Sequence, residues 1–145
     1  DANVVNYMTI NMEQTAAIQK VSDDACFRFL YPMVKGGVNP MRMLDKDLMT
    51  RRMQADADMM RTAYGKNRHT VTQAEREAAV EDVRPIMKAL ADKYGEDIQL
   101  LQMPEKAVGK EKLSCDMVQD MWAKVLALPE QKAARVIRLA VSELE

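Results

Sequence analysis

Apolar residues recur along most of this chain at intervals of three and four, the spacing that places them on one face of an α-helix. The pattern is clearest from Ser114 to Glu145. Val118, Met121, Trp122, Val125 and Leu126 make one stripe, and Ala133, Ile137, Ala140 and Leu144 make a second, widened by Val136 and Val141. Leu128-Pro129 separates them, because a residue before proline is pushed out of the α region and proline suits the first turn of the next helix. Ser114 is expected to cap the first of these helices, with Asp116 at the positive end of its dipole. So short a connection predicts antiparallel neighbours. Trp122, inside the stripe, reads as a core anchor rather than a ligand platform.

The same periodicity runs upstream. From about Asn11, Ile18, Val21, Ala25 and Phe29 share a face, with Cys26 and Leu30 beside it, until Tyr31-Pro32 and Gly36-Gly37 break the pattern. Residues 1–10 are ambiguous. Their β-branched content favours an irregular or extended arm, whereas Val4, Met8 and Met12 suit a helix. Asn39-Pro40 is a helix start signal. Met49, Met53, Ala57, Met60 and Tyr64 then follow at helical spacing to Gly65, with Leu44, Leu48 and Met59 broadening that face. Lys66 to Thr70 reads as a polar loop. Thr72-Gln73-Ala74-Glu75 is a capping box. The helix it opens should bury Val80, Val83, Met87, Leu90 and Tyr94, with Pro85 kinking or splitting it near Asp82. Residues 96–113 read as a long exposed loop, with Ile98, Leu100 and Leu101 tucked in as a short turn. The expected fold is all-α: a single domain over residues 1–145, built as a bundle of about five mostly antiparallel helices.

Composition changes this picture in two ways. Aromatic residues are only 5% of the chain while Met reaches 13 residues, so flexible thioethers fill space that Leu and Phe usually fill. No stretch approaches the ~18 apolar residues of a membrane span. The net charge is −1, but residues 32–70 carry eight basic and four acidic groups. That polarity hints at a partner without identifying it.

The two cysteines, Cys26 and Cys115, are too far apart for a Cys-x-x-Cys metal or redox site and suit a single structural disulfide. The chain starts at Asp1 without an initiator methionine, as a protein does after removal of a signal peptide, and as any trimmed chain does. Together these point to a periplasmic or secreted protein. The alternative is a cytoplasmic one with two reduced, buried cysteines.

Candidate chemistry is sparse. A lone His69 removes His-rich metal sites and offers no partner for a second imidazole. Asp45, Asp47, Asp56, Asp58, Glu77, Glu81 and Asp82 mostly lie beside Lys or Arg on polar faces, which weakens a carboxylate acid–base pair. Arg42, Arg51, Arg52, Arg61, Lys66 and Arg68 are interleaved with acids that would repel phosphate, so no nucleic-acid partner is expected. Met41, Met43, Met49 and Met53 offer soft ligands for Cu(I). No residue is assigned a catalytic role and no cofactor is expected, copper being the alternative.

The function expected is non-catalytic binding of another protein, as an inhibitor, immunity-type protein, adaptor or chaperone. A homodimer is a further possibility. The interaction surface is assigned to Leu44, Leu48, Met49, Met53, Met59, Met60 and Tyr64. A Met-lined site for copper or a small apolar ligand is the alternative, and a carboxylate-dependent hydrolase is the weaker one.

Overall fold

A computed structural model describes residues 1–65 and 69–142. Among them are seven α-helices and no strand: α1 Ala2–Val21, α2 Asp23–Leu30, α3 Pro32–Lys35, α4 Lys46–Tyr64, α5 Gln73–Tyr94, α6 Glu111–Leu126 and α7 Glu130–Ser142. Short 3-10 turns lie at Pro40–Arg42, Gly95–Leu101 and Pro104–Ala107. The all-α bundle is as expected, with more and shorter helices than the periodicity suggested.

Each difference has a local cause. Residues 2–10 are helical from the start of the chain, because Val4, Met8 and Ile10 are buried on the inner face of α1. The first long helix is broken at Ser22, whose extended backbone lets its hydroxyl accept from the Ala25 N–H. Asp23 and Asp24 then sit at the positive end of α2. The break turns the inner face, so Ala25, Cys26 and Phe27 are buried together while Val21 is 59% exposed. Asn39 caps only the Pro40 turn, and α4 begins afresh where Asp45 accepts from the Leu48 N–H. Thr72 caps α5 as expected.

Pro85 lies inside α5 without splitting it. It sits on the exposed side, as does Glu81, the residue whose carbonyl loses its helical donor to the proline. The buried line of α5 is Ala79, Ile86 and Leu90, with Val83, Met87 and Tyr94 partly covered; Val80 points outward. Residues 96–113 are not a loop. The two 3-10 turns bury Leu100 and Ala107, and α6 begins at Glu111, three residues before Ser114. Ser114 is therefore no cap. It is fully buried in α6, and its hydroxyl has no hydrogen-bond partner among the described residues. Asp116 accepts from Lys112 and Gln19.

The main core joins Val4 and Met8 of α1, Ala79, Ile86 and Leu90 of α5, Val118, Trp122 and Val125 of α6, and Ala133, Ala134, Val136 and Ile137 of α7. The expected stripes of the C-terminal pair supply much of it; Val141 is half exposed and Leu144 lies outside the described residues. A second cluster packs Phe27, Leu100, Ala107 and Met117. Beside it Cys26 and Cys115, both fully buried, meet at disulfide distance with Cα atoms 6.2 Å apart, within the range a disulfide spans. Gln119 lies over this bond, its Nε2 3.1 Å from Cys115 Sγ and donating to Gln19 Oε1 at 2.6 Å. A third cluster is small: Ile10, Leu48 and Ala55, between α1 and α4.

Candidate functional site

α4 is built differently from the helices around the main core. Its one substantial helix neighbour is α1. At about 100° per residue, Leu48, Ala55 and Met59 fall on one narrow line, and that line faces α1. The small Ala55 lets the two backbones approach. Polar bonds complete the seam. Arg51 reaches both carboxylate oxygens of Glu13, at 2.6 and 3.0 Å, and Arg52 donates to the buried Gln14 at 3.2 Å. Near the end of α4, Asn3 of α1 donates to the Thr62 hydroxyl at 3.0 Å.

The remaining apolar residues of α4 gather on the opposite side. Met49, Met53, Ala57, Met60 and Tyr64 fall within an arc of roughly 80°, centred about 140° from the buried line. Met53 is 65% exposed, Met60 63% and Tyr64 91%, while Met49 and Ala57 are half-buried. An apolar stripe several turns long, facing water, is the unusual feature of this molecule. Single exposed apolar residues are ordinary, whereas contiguous ones mark contact surfaces.

The seven residues assigned to one surface thus divide. Met49, Met53, Met60 and Tyr64 line the outer stripe. Leu48 is buried against α1, Leu44 packs partly against the same small cluster, and Met59 packs against the main core. They do not broaden the outer face, because the sequence carries two stripes on α4 and these three belong to the inner one. No family model, curated protein or solved structure matches this chain.

The other candidate groups are placed as follows. Met41, on the Pro40 turn, is 70% exposed, Met43 is half-buried beside it, and Met49 and Met53 lie on the outer stripe of α4. Met8 and Met117 are buried in the core, while Met33 is 96% exposed. His69 pairs with Glu75 at 2.7 Å. Among the candidate carboxylates, Asp56 pairs with Arg52, Asp58 with Arg61, Glu81 with Arg84 and Asp82 with Arg135. Of the basic set, Arg52 and Arg61 belong to these pairs, Arg51 pairs with Glu13 and Arg42 is exposed on the Pro40 turn, while Lys66 and Arg68 lie outside the described residues.

An open groove of about 730 Å³ gathers Asp23, Asp24, Asp97, Glu111 and Asp116, a cluster no sequence pattern announced. Four of its five carboxylates meet Lys or Arg: Asp24 with Arg28 and Lys35, Glu111 with Lys35, Asp97 with Lys110 and Asp116 with Lys112. The Lys35 ammonium, the Gly109 N–H and the residue's own N–H hold the Glu111 carboxyl down at about 2. Such groups are ion-pair anchors; a general acid needs its pKa pushed upward. A second groove, of about 380 Å³, lies where α1, α4 and α7 meet, with Val4, Met59, Val71 and Ile137 among its walls.

Proposed function

We propose that this protein is a non-catalytic binding protein of an oxidising compartment, periplasmic or secreted, that docks another protein through the outer stripe of α4. The observation that carries this is the exposure of Met53, Met60 and Tyr64 on one face. A long apolar stripe in water favours burial, at roughly 25 cal/mol per Å² of apolar surface removed. Thioether side chains suit the role because they repack against varied shapes. The buried cysteine pair supports the compartment, since disulfides persist where glutathione and thioredoxin do not reduce them. No helix among the described residues is long and apolar enough to cross a membrane.

The test is the double variant Met53→Lys/Met60→Lys. It should lose binding to the partner while keeping the helical circular dichroism of the parent, because neither side chain is part of the core. Unchanged binding by a folded variant refutes the assignment of the surface.

A second reading has one specific observation behind it, the groove beside Met59, whose volume suits a small apolar ligand. A ligand held there should raise the melting temperature with its excess. For copper the support is weaker, since Met41 and Met53 are mostly exposed. Cu(I) should then shift the melt of the parent protein and not of Met41→Leu/Met43→Leu. No shift in the parent removes that alternative.

A further inference from the structure

We propose that the exposed thioethers of this chain are a modification site for two-electron oxidants such as hydrogen peroxide, and that oxidation at Met53 and Met60 turns the outer stripe of α4 from apolar to polar. The way sulfur is divided in the molecule carries the inference. Both cysteine sulfurs are fully buried and bonded to each other, so no thiol competes for an oxidant. Met8 and Met117 are sealed in the core. Met33, Met41, Met53 and Met60 stand mostly in water, the least exposed being Met60 at 63%. Susceptibility of a thioether follows its exposure, so these four are the sulfurs an oxidant meets first.

In the reaction the thioether sulfur attacks one oxygen of the peroxide. The S–O bond forms as the O–O bond breaks, and the second oxygen leaves with both protons as water. Sulfur loses two electrons, the peroxide gains them, and the side chain becomes a sulfoxide. A dithiol-dependent sulfoxide reductase reverses the step, removing the oxygen as water and leaving its dithiol as a disulfide.

The consequence depends on where each sulfur sits. Met53 and Met60 are seven residues apart on one face, about 10 Å along the helix axis. Ala57 lies between them and Met49 before them, both half-buried. The two long side chains at the middle of the stripe are therefore the ones that oxidise. A sulfoxide oxygen holds water, and burying it without a donor costs free energy. Two of them leave only Met49, Ala57 and Tyr64 as separated apolar remnants of the stripe. The fold does not feel the change, because neither Met53 nor Met60 belongs to a core cluster. Met33, on α3, and Met41, on the Pro40 turn, undergo the same chemistry away from the stripe. The chemistry rests on exposure alone. Only its effect on a docked protein rests on the assignment of the stripe as the docking surface.

Peptide mass mapping of the full chain during titration with hydrogen peroxide tests the site. Met33, Met41, Met53 and Met60 should each gain one oxygen about tenfold or more faster than Met8 and Met117, because a core thioether waits for the structure to open. With those four oxidised, the melting temperature should stay within about 3 °C of the parent's. Retention on a phenyl column reads the apolar surface, and it should fall as Met53 and Met60 oxidise. Met53→Leu/Met60→Leu should keep most of its retention through the same titration, whereas Met33→Leu/Met41→Leu should lose most of it. Core and exposed methionines oxidised at one rate, a melt that collapses with the first oxygens, or equal loss of retention in Met53→Leu/Met60→Leu and the parent each overturn the proposal. The docking reading fails separately: if Met53→Lys/Met60→Lys leaves partner binding unchanged, that reading falls while the oxidation map stands.

Discussion

α4 and α6 are helices of similar length, 19 and 16 residues, and each carries an apolar stripe at intervals of three and four. α6 is surrounded by α1, α2, α5 and α7 and buries Trp122, Val118, Val125 and Met117. α4 leans on α1, buries Leu48 and Ala55, and turns Met53, Met60 and Tyr64 to water. Periodicity reports that a face is apolar. It does not report what covers that face. The two helices differ in how their apolar residues are divided, into one broad stripe on α6 and two narrow ones on α4, and the second stripe of α4 is largely uncovered by the described residues.

Removing the disulfide should produce the largest change, because it anchors α6 to α2 across 89 positions of sequence. Closing a loop of that length restrains the unfolded chain by up to about 4.6 kcal/mol. Cys26→Ala/Cys115→Ala should lose most of that in denaturant melts, and mass spectrometry without reductant should find the parent two hydrogens light. Two free thiols in the parent would remove the anchor. Next comes truncation within each core. Trp122→Ala in α6 should cost about 3–5 kcal/mol, and Leu48→Ala in the three-residue cluster under α4 only about 2. Equal losses would mean that α4 is as firmly seated as α6.

Acid gives a smaller, graded effect. Glu111 is lowered from an ordinary 4.5 to about 2 chiefly by Lys35, and Asp120 from 3.8 to about 2 by Lys124 and Lys93. Both belong to α6. A carboxyl whose folded pKa lies below its unfolded one binds fewer protons when folded, so its contribution is present above the ordinary value and lost as pH falls through the lower one. Melting temperature should therefore fall between about pH 4.5 and pH 2, and Glu111→Gln with Asp120→Asn should flatten that fall. The smallest effect is expected on α4's outer stripe. Met53→Lys should change the stability of the monomer by no more than about 0.5 kcal/mol, as at other surface positions. A loss of several kcal/mol would show that the stripe is covered after all.

Much of the fold was written in the sequence where propensity and packing agree. The cap at Thr72, the stop at Leu128-Pro129 and the stripes around Trp122 and Ile137 all lie where expected, although the Glu75 side chain pairs with His69. The misses share a cause. Ser22-Asp23-Asp24 is a sound capping signal, but Ile18 and Ala25 kept the stripe's period running straight through it. Ser114 has the chemistry of a cap, yet Gly109, at φ 92°, ends the preceding turn and lets α6 begin before it. The spacing to Val83 and Met87 places Val80 inside, whereas it is 43% exposed and the neighbouring Ala79 is fully buried. The candidate surface was legible as a run of methionines. Which of them faced outward depended on α1, whose first ten residues do not announce themselves as a helix.

The covalent link described above also decides how this chain would carry a mechanical load. Pulled from its two ends, tension would pass from α2 through the sulfur pair into α6. The 89-position stretch they enclose, α4 and α5 included, would lie off the load path. At about 3.4 Å per residue, some 300 Å of contour length would stay hidden until the bond was reduced. α4 would lie off that path while α1, its one substantial helix neighbour, lies on it, so traction would unseat α4 without stretching it.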